Sequence, residues 1–115
     1  YYQGLKELEE LGLVELPTVP TECVHNAHMF YMKCQDLETR TAYIQAMKTE
    51  GISCVFHYVP LHSAPGGLKF GRFHGNDEYT TAESDRLVRL PLYYDMAEDD
   101  MERVVCKTRS FFGVK

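Results

Sequence analysis

The sequence predicts an α+β fold, a small antiparallel or mixed sheet covered by helices. Three observations lead there. Apolar residues recur at helical spacing over residues 2–11, 37–50 and 98–112. Between these stretches lie short runs of β-branched and aromatic residues, the strongest over 52–59. The 115 residues suffice for one modest core, so the elements belong to a single domain spanning 1–115.

In chain order, Leu5, Leu8 and Leu11 repeat at helical spacing among Glu7, Glu9 and Glu10, and Gly12 stands where a helix end takes positive φ. A short strand is expected over 13–16, followed by a loop that Pro17 and Pro20 fix to about His25. Residues 27–33 are rich in aromatics and read as a strand. Asp36 then caps a helix whose apolar stripe uses Leu37, Ile44 and Met47 and which Gly51 closes. In the strand 52–59, alternation sets Cys54, Phe56 and Tyr58 against Val55, His57 and Val59, and Pro60 ends it.

Residues 60–79 carry Pro60, Pro65, Gly66, Gly67, Gly71 and Gly75, yet keep Leu68, Phe70 and Phe73, which a disordered tract would lack. A loop of that length in a small domain is expected to be ordered and functional. Thr80 with Glu83 has the form of a capping box for a helix to about Leu87. A strand over 88–92 follows, which Pro91 places at an edge or an end. In the last helix Met101, Val104, Val105, Thr108 and Phe112 form the apolar stripe. Glu98, Asp99 and Asp100 suit its positive end, Ala97 offers no side-chain cap, and Gly113 is the stop.

Lys and Arg number 12 against 17 Asp and Glu, a net charge of −5 with no basic cluster. Affinity for phosphate backbones and anionic membranes needs cations, so neither nucleic acid nor a membrane is an expected partner. No apolar run approaches the ~20 residues that span a bilayer. Cys23, Cys34, Cys54 and Cys106 form no Cys-x-x-Cys pair and read as free thiols of a cytoplasmic protein, Cys34 and Cys54 as buried ones. The histidines have no ligand-like spacing with each other or with carboxylates, so no metal site is expected. Neither a nucleophile elbow nor a phosphate-binding glycine loop is present, and the glycines at 66, 67 and 71 read as turn residues. Lys69 and Arg72 suit a ligand phosphate. From residues alone the reading stops at a domain whose His- and aromatic-rich loop binds a polar ligand.

Five segments go further: Asn26-Ala27-His28-Met29-Phe30-Tyr31, Gly51-Ile52, Val55-Phe56-His57-Tyr58-Val59-Pro60-Leu61-His62, Phe70-Gly71-Arg72-Phe73-His74-Gly75 and Arg89-Leu90-Pro91-Leu92-Tyr93. In register, they closely resemble the C-terminal part of the DegT/DnrJ/EryC1/StrS family of sugar aminotransferases. The resemblance implies the C-terminal small domain of an aspartate-aminotransferase-type fold (PLP fold type I). It also implies pyridoxal 5'-phosphate as cofactor of the full-length enzyme, glutamate and a nucleotide sugar as its substrates, and a homodimer as its working form. The Schiff-base lysine and the other cofactor ligands are then expected upstream of Tyr1, so no catalytic or cofactor-binding residue is expected here and the chain alone should be inactive. By the same resemblance His57, Tyr58 and His62 border the nucleotide-sugar site, with Phe70, Arg72, Phe73 and His74 as second-rank candidates for substrate binding. The alternative is a free-standing α+β module that binds a small ligand without catalysis.

Overall fold

The computed structural model describes residues 1–115 and contains five helices and three strands. In order these are α1 (Tyr2–Glu10), β1 (Phe30–Lys33), α2 (Leu37–Thr49), β2 (Val55–Phe56), α3 (Pro65–Phe70), α4 (Thr80–Arg86), β3 (Leu87–Leu90) and α5 (Glu98–Phe111). The strands form one antiparallel sheet in the order β1-β3-β2, pairing Phe30 with Leu90, Lys33 with Leu87 and Val55 with Arg89. The fold is the expected α+β architecture.

The core lies between one sheet face and the helices. Met32, Val88 and Leu90 from the sheet meet Leu5 and Leu8 of α1, Tyr43 and Met47 of α2, and Val104 of α5. Gly4 lets α1 approach α5 closely, since a Cβ there would stand 2.7 Å from the Val105 side chain. Asp36 caps α2 by accepting from the Thr39 N–H at 2.7 Å. Gly12, Gly51 and Gly113 all take positive φ just beyond their helices. No helix is long and apolar enough to cross a membrane.

Several elements differ from expectation for identifiable reasons. The segment 13–16 makes only an isolated bridge, Glu15 with Lys33, although Val14 and Leu16 are buried. Ala27 adopts a positive φ, which interrupts extended backbone, so the strand expected from 27 begins at Phe30. The strand expected over 52–59 shrinks to two residues, Val55 and Phe56, paired with Arg89 and Val88 of β3. Cys54 is buried as alternation demands, but Phe56 and Tyr58 are exposed. β3 is the central strand, not an edge, and Pro91 follows its last residue. On α2 the expected Leu37 is exposed and Tyr43 takes its place in the stripe. Segment 60–79 is ordered but contains a helix, α3.

The capping box at Thr80 does not form. Tyr79 occupies the cap position without a side-chain bond. Glu83 instead binds Lys33 at 2.8 Å and Arg86 at 3.3 Å. Two cations outbid one backbone N–H for the carboxylate.

Candidate functional site

After β2 the chain turns at Pro60 and folds back through α3. The Ser63 and Ala64 N–H groups donate to the Pro60 carbonyl at 3.1 and 3.0 Å, and Pro65 opens the helix at a position where no N–H is required. This return packs α3 against its own approach. A Cβ on Gly67 would overlap the Leu61 carbonyl, whereas one on Gly66 would meet open space. The glycine at 67 therefore serves close backbone approach within a helix, not the tight turn expected of it.

The fold-back encloses a cleft of about 500 Å³ lined by His62, Phe70, Arg72, Phe73 and Thr80, with Gly66, Gly67 and Gly71 on its floor. His62 is held by polar and aromatic contacts. Its Nε2 lies 2.9 Å from Asp77 Oδ2 and 3.3 Å from Thr81 Oγ1, and its ring packs on Phe73 with centroids 4.6 Å apart. A carboxylate only accepts, so Nε2 carries a proton and donates it toward Asp77. Asp77 also accepts from the Thr81 hydroxyl and from the Thr81 N–H at 3.3 Å. The Thr81 hydroxyl, and then its N–H and His62, hold the Asp77 carboxyl below the usual aspartate range.

The sequence-selected residues thus separate into groups. His62, Phe70, Arg72 and Phe73 share the cleft. His57 and Tyr58 stack edge to face, centroids 4.5 Å apart, beside it. The Tyr58 carbonyl accepts from Ser84 Oγ at 2.6 Å, and the Tyr58 side chain borders a smaller hollow of about 280 Å³ with Arg40 and Ser84. His74 is exposed and lines neither space. Asp77 and Thr81 were not singled out in the sequence. Their signal is local, an Asp four residues before a Thr at a helix start. A larger groove of about 740 Å³ runs between α1 and α5 past Tyr1, Val105 and Arg109 and contains none of the sequence-selected residues.

A lysine that forms a Schiff base needs a setting that lowers its pKa. None here has one. Lys33 is bound by Glu15 and Glu83, which raise its pKa. Lys6 pairs with Glu10 and Lys107 with Glu50, Lys69 lies over the Phe70 ring, and Lys48 and Lys115 are exposed. These residues do not fit a covalently held aldehyde cofactor. No three His, Cys, Asp or Glu side chains converge in a metal-holding group.

A family model, that of the DegT/DnrJ/EryC1/StrS aminotransferases, matches residues 1–109. The chain belongs to this family. An uncharacterised protein of Methanocaldococcus jannaschii is 30% identical over 104 residues, covering 87% of this chain and 27% of that protein. Among solved structures, the aminotransferase TlmJ of Streptoalloteichus hindustanus superposes with a TM-score of 0.83 at 20% identity over 98% of this chain and 29% of its own. NtdA of Bacillus subtilis, crystallised with the cofactor PMP, gives 0.81 at 22% identity over 98% and 26%. DesV of S. venezuelae, in complex with a ketimine intermediate, gives 0.80 at 21% over 95% and 29%. The chain therefore spans little more than a quarter of the length of the relatives it matches.

Proposed function

We propose that the chain is the C-terminal small domain of a PLP-dependent nucleotide-sugar aminotransferase and supplies part of its substrate wall. The match of residues 1–109 to the family carries this reading. The finer assignment rests on the His-Tyr-Val-Pro-Leu-His and Gly-Arg-Phe-His-Gly segments, which look most like dTDP-4-amino-4,6-dideoxygalactose transaminase of enterobacterial common antigen synthesis. The proposed reaction is amino transfer from glutamate to dTDP-4-keto-6-deoxyglucose, in the cytoplasm and by a homodimer. Residues outside these 115 would hold the cofactor, since no lysine here suits it.

Within this role His62, oriented by Asp77, offers its other ring nitrogen to a sugar hydroxyl, and Arg72 offers a fork of N–H donors to a diphosphate. Phe70 and Phe73 give apolar walls for the nucleotide or the 6-deoxy carbon. His57 and Tyr58 extend that surface toward the sheet. The test compares this chain with the full polypeptide encoded by its gene, each supplied with pyridoxal phosphate, glutamate and the ketosugar. The full polypeptide is expected to show internal-aldimine absorbance and to aminate the sugar, the chain alone neither. Turnover by the isolated chain overturns the assignment.

A further inference from the structure

Helix α4 forms one wall of the cleft and has little of its own to hold it there. Its first turn carries Thr80, which lines the cleft, and Thr81, which bonds to both Asp77 and His62. Yet the helix has seven residues, none of them buried, and no side-chain cap. Isolated helices shorter than about 12 residues are marginal in water, so the rest of the fold must hold this one in place. With no buried residue to contribute, its side chains hold on through polar contacts. Ser84 Oγ donates to the Tyr58 carbonyl at 2.6 Å, and the Arg86 Nε–H donates to the Cys34 carbonyl at 2.8 Å.

The charged contacts close a ring at its C-terminal end. Lys33 of β1 reaches Glu15 at 2.5 Å and Glu83 at 2.8 Å, while Arg86 reaches Glu83 at 3.3 Å and also pairs with Glu15. Each cation is thus shared by both carboxylates, and α4 supplies two of the four members, Glu83 and Arg86. The Glu15 and Glu83 side chains are 49% and 43% exposed, so dissolved ions reach the ring. Upstream the tether is slack, because residues 71–80 are exposed throughout and Gly75 among them takes a positive φ with open space around it. Downstream, α4 runs directly into β3, which the buried Val88 and Leu90 fix in the core.

We propose that α4 is a gate on the cleft, latched by the ring of Lys33, Glu15, Arg86 and Glu83, and that it opens while the sheet and the core helices stay folded. An element with few buried contacts opens locally at a lower free energy than the whole fold. When the ring lets go, Thr81 leaves with the helix, so His62 and Asp77 both lose a partner and the cleft loses a wall. The coupling runs both ways: a molecule that binds only the closed cleft holds the ring shut by the same factor. The proposal rests on the substrate-wall reading only for what enters the cleft.

Amide hydrogen exchange, read residue by residue by NMR, tests the gate. From about 0.05 to about 1 M sodium chloride the screening length shrinks to about 3 Å, the scale of the ring's own contacts. Protection of the Glu83 to Arg86 amides should then fall at least about fivefold relative to Tyr43 to Met47 of α2, the ratio that two half-exposed ion pairs are worth. E83Q removes both pairs of one carboxylate and should give that loss already at low salt, with a smaller response to added salt. K33M changes no residue of α4 and should act in the same direction, so its effect reports the ring and not helix propensity. Should K33M lose its folded spectrum, E83Q on the exposed helix carries the test. In each folded variant the His62 ring signals should move with the loss of α4 protection. A salt response no larger in α4 than in α2, unaltered α4 exchange in the folded variants, or His62 signals that stay fixed while α4 opens would overturn the proposal. No readout involves transamination, so failure here leaves the aminotransferase assignment standing, and failure of turnover leaves the gate standing.

Discussion

The His62 imidazole meets the Asp77 carboxylate at 2.9 Å, across the whole of α3 and the turn that follows it. Asp77 thereby ties the start of the cleft segment to the start of α4, where it also accepts from Thr81. Its folded pKa is depressed, chiefly by the Thr81 hydroxyl. A depressed carboxyl stabilises the fold above its unfolded value of about 3.9, and that contribution is lost as pH falls through the lower folded value. Acidification below about pH 4 is therefore expected to open this tie. Exchange of the Thr81 amide and the His62 ring shifts should report it together. In Asp77→Asn the tie should be weaker at neutral pH and its acid-dependent loss gone; an unchanged acid profile in that variant would refute the assignment to Asp77.

Adjacent glycines should respond differently to alanine. Gly67→Ala drives a methyl into the Leu61 carbonyl, a backbone atom held by the Pro60 turn, so α3 must move and the cleft must widen. Gly66→Ala meets nothing and adds helix propensity. No residue of α3 is buried, so the damage should stay local. Amide exchange within 65–71 is expected to rise at least tenfold in the first variant and not in the second, with global unfolding changed by no more than about 0.5 kcal/mol in either. Equal exchange in both would show that the close approach does not constrain α3.

What could be read in the sequence was the local chemistry. Asp36 caps its helix and Gly12, Gly51 and Gly113 end theirs because each decision involves only neighbouring backbone. Residues whose fate depends on distant partners are not legible in this way. Glu83 reads as a capping residue until Lys33, fifty positions away, claims it. Residues 52–59 have strand composition throughout, but composition does not reveal that only Val55 and Phe56 pair with β3. His62 was identifiable as a candidate while Asp77 was not, since the α3 fold-back that joins them lies in a segment whose prolines and glycines suggest a plain loop.

Thiol reactivity should divide the cysteines in two. Cys23 and Cys106 are exposed, and Cys34 and Cys54 are buried. Burial pushes the Cys34 thiol up to about 12, and it also raises Cys54. Only the thiolate reacts with iodoacetamide, so at pH 8 the folded chain should take up label at Cys23 and Cys106 and at all four positions once denatured. Peptide mass mapping distinguishes the sites. Rapid labelling of Cys34 without denaturant would mean that the sheet and α2 open far more readily than their packing implies.

Tyr43 is the largest fully buried side chain, and its hydroxyl reaches Thr108 Oγ1 at 2.8 Å with Cys54 Sγ at 3.7 Å. Thr108 itself donates to the Val104 carbonyl at 2.7 Å, so the phenol is the donor of the pair. The two possible deletions are therefore unequal. Tyr43→Phe removes a donor and leaves Thr108 bonded to Val104, which should cost about 1 kcal/mol. Thr108→Val strands the buried phenol with only a weak sulfur acceptor and should cost about 2–3 kcal/mol. In the double variant no polar group is left stranded, so its loss should fall below the sum of the two single losses. Urea unfolding of the four proteins measures all three differences. A Tyr43→Phe loss equal to or larger than that of Thr108→Val would reverse the assigned direction of this hydrogen bond.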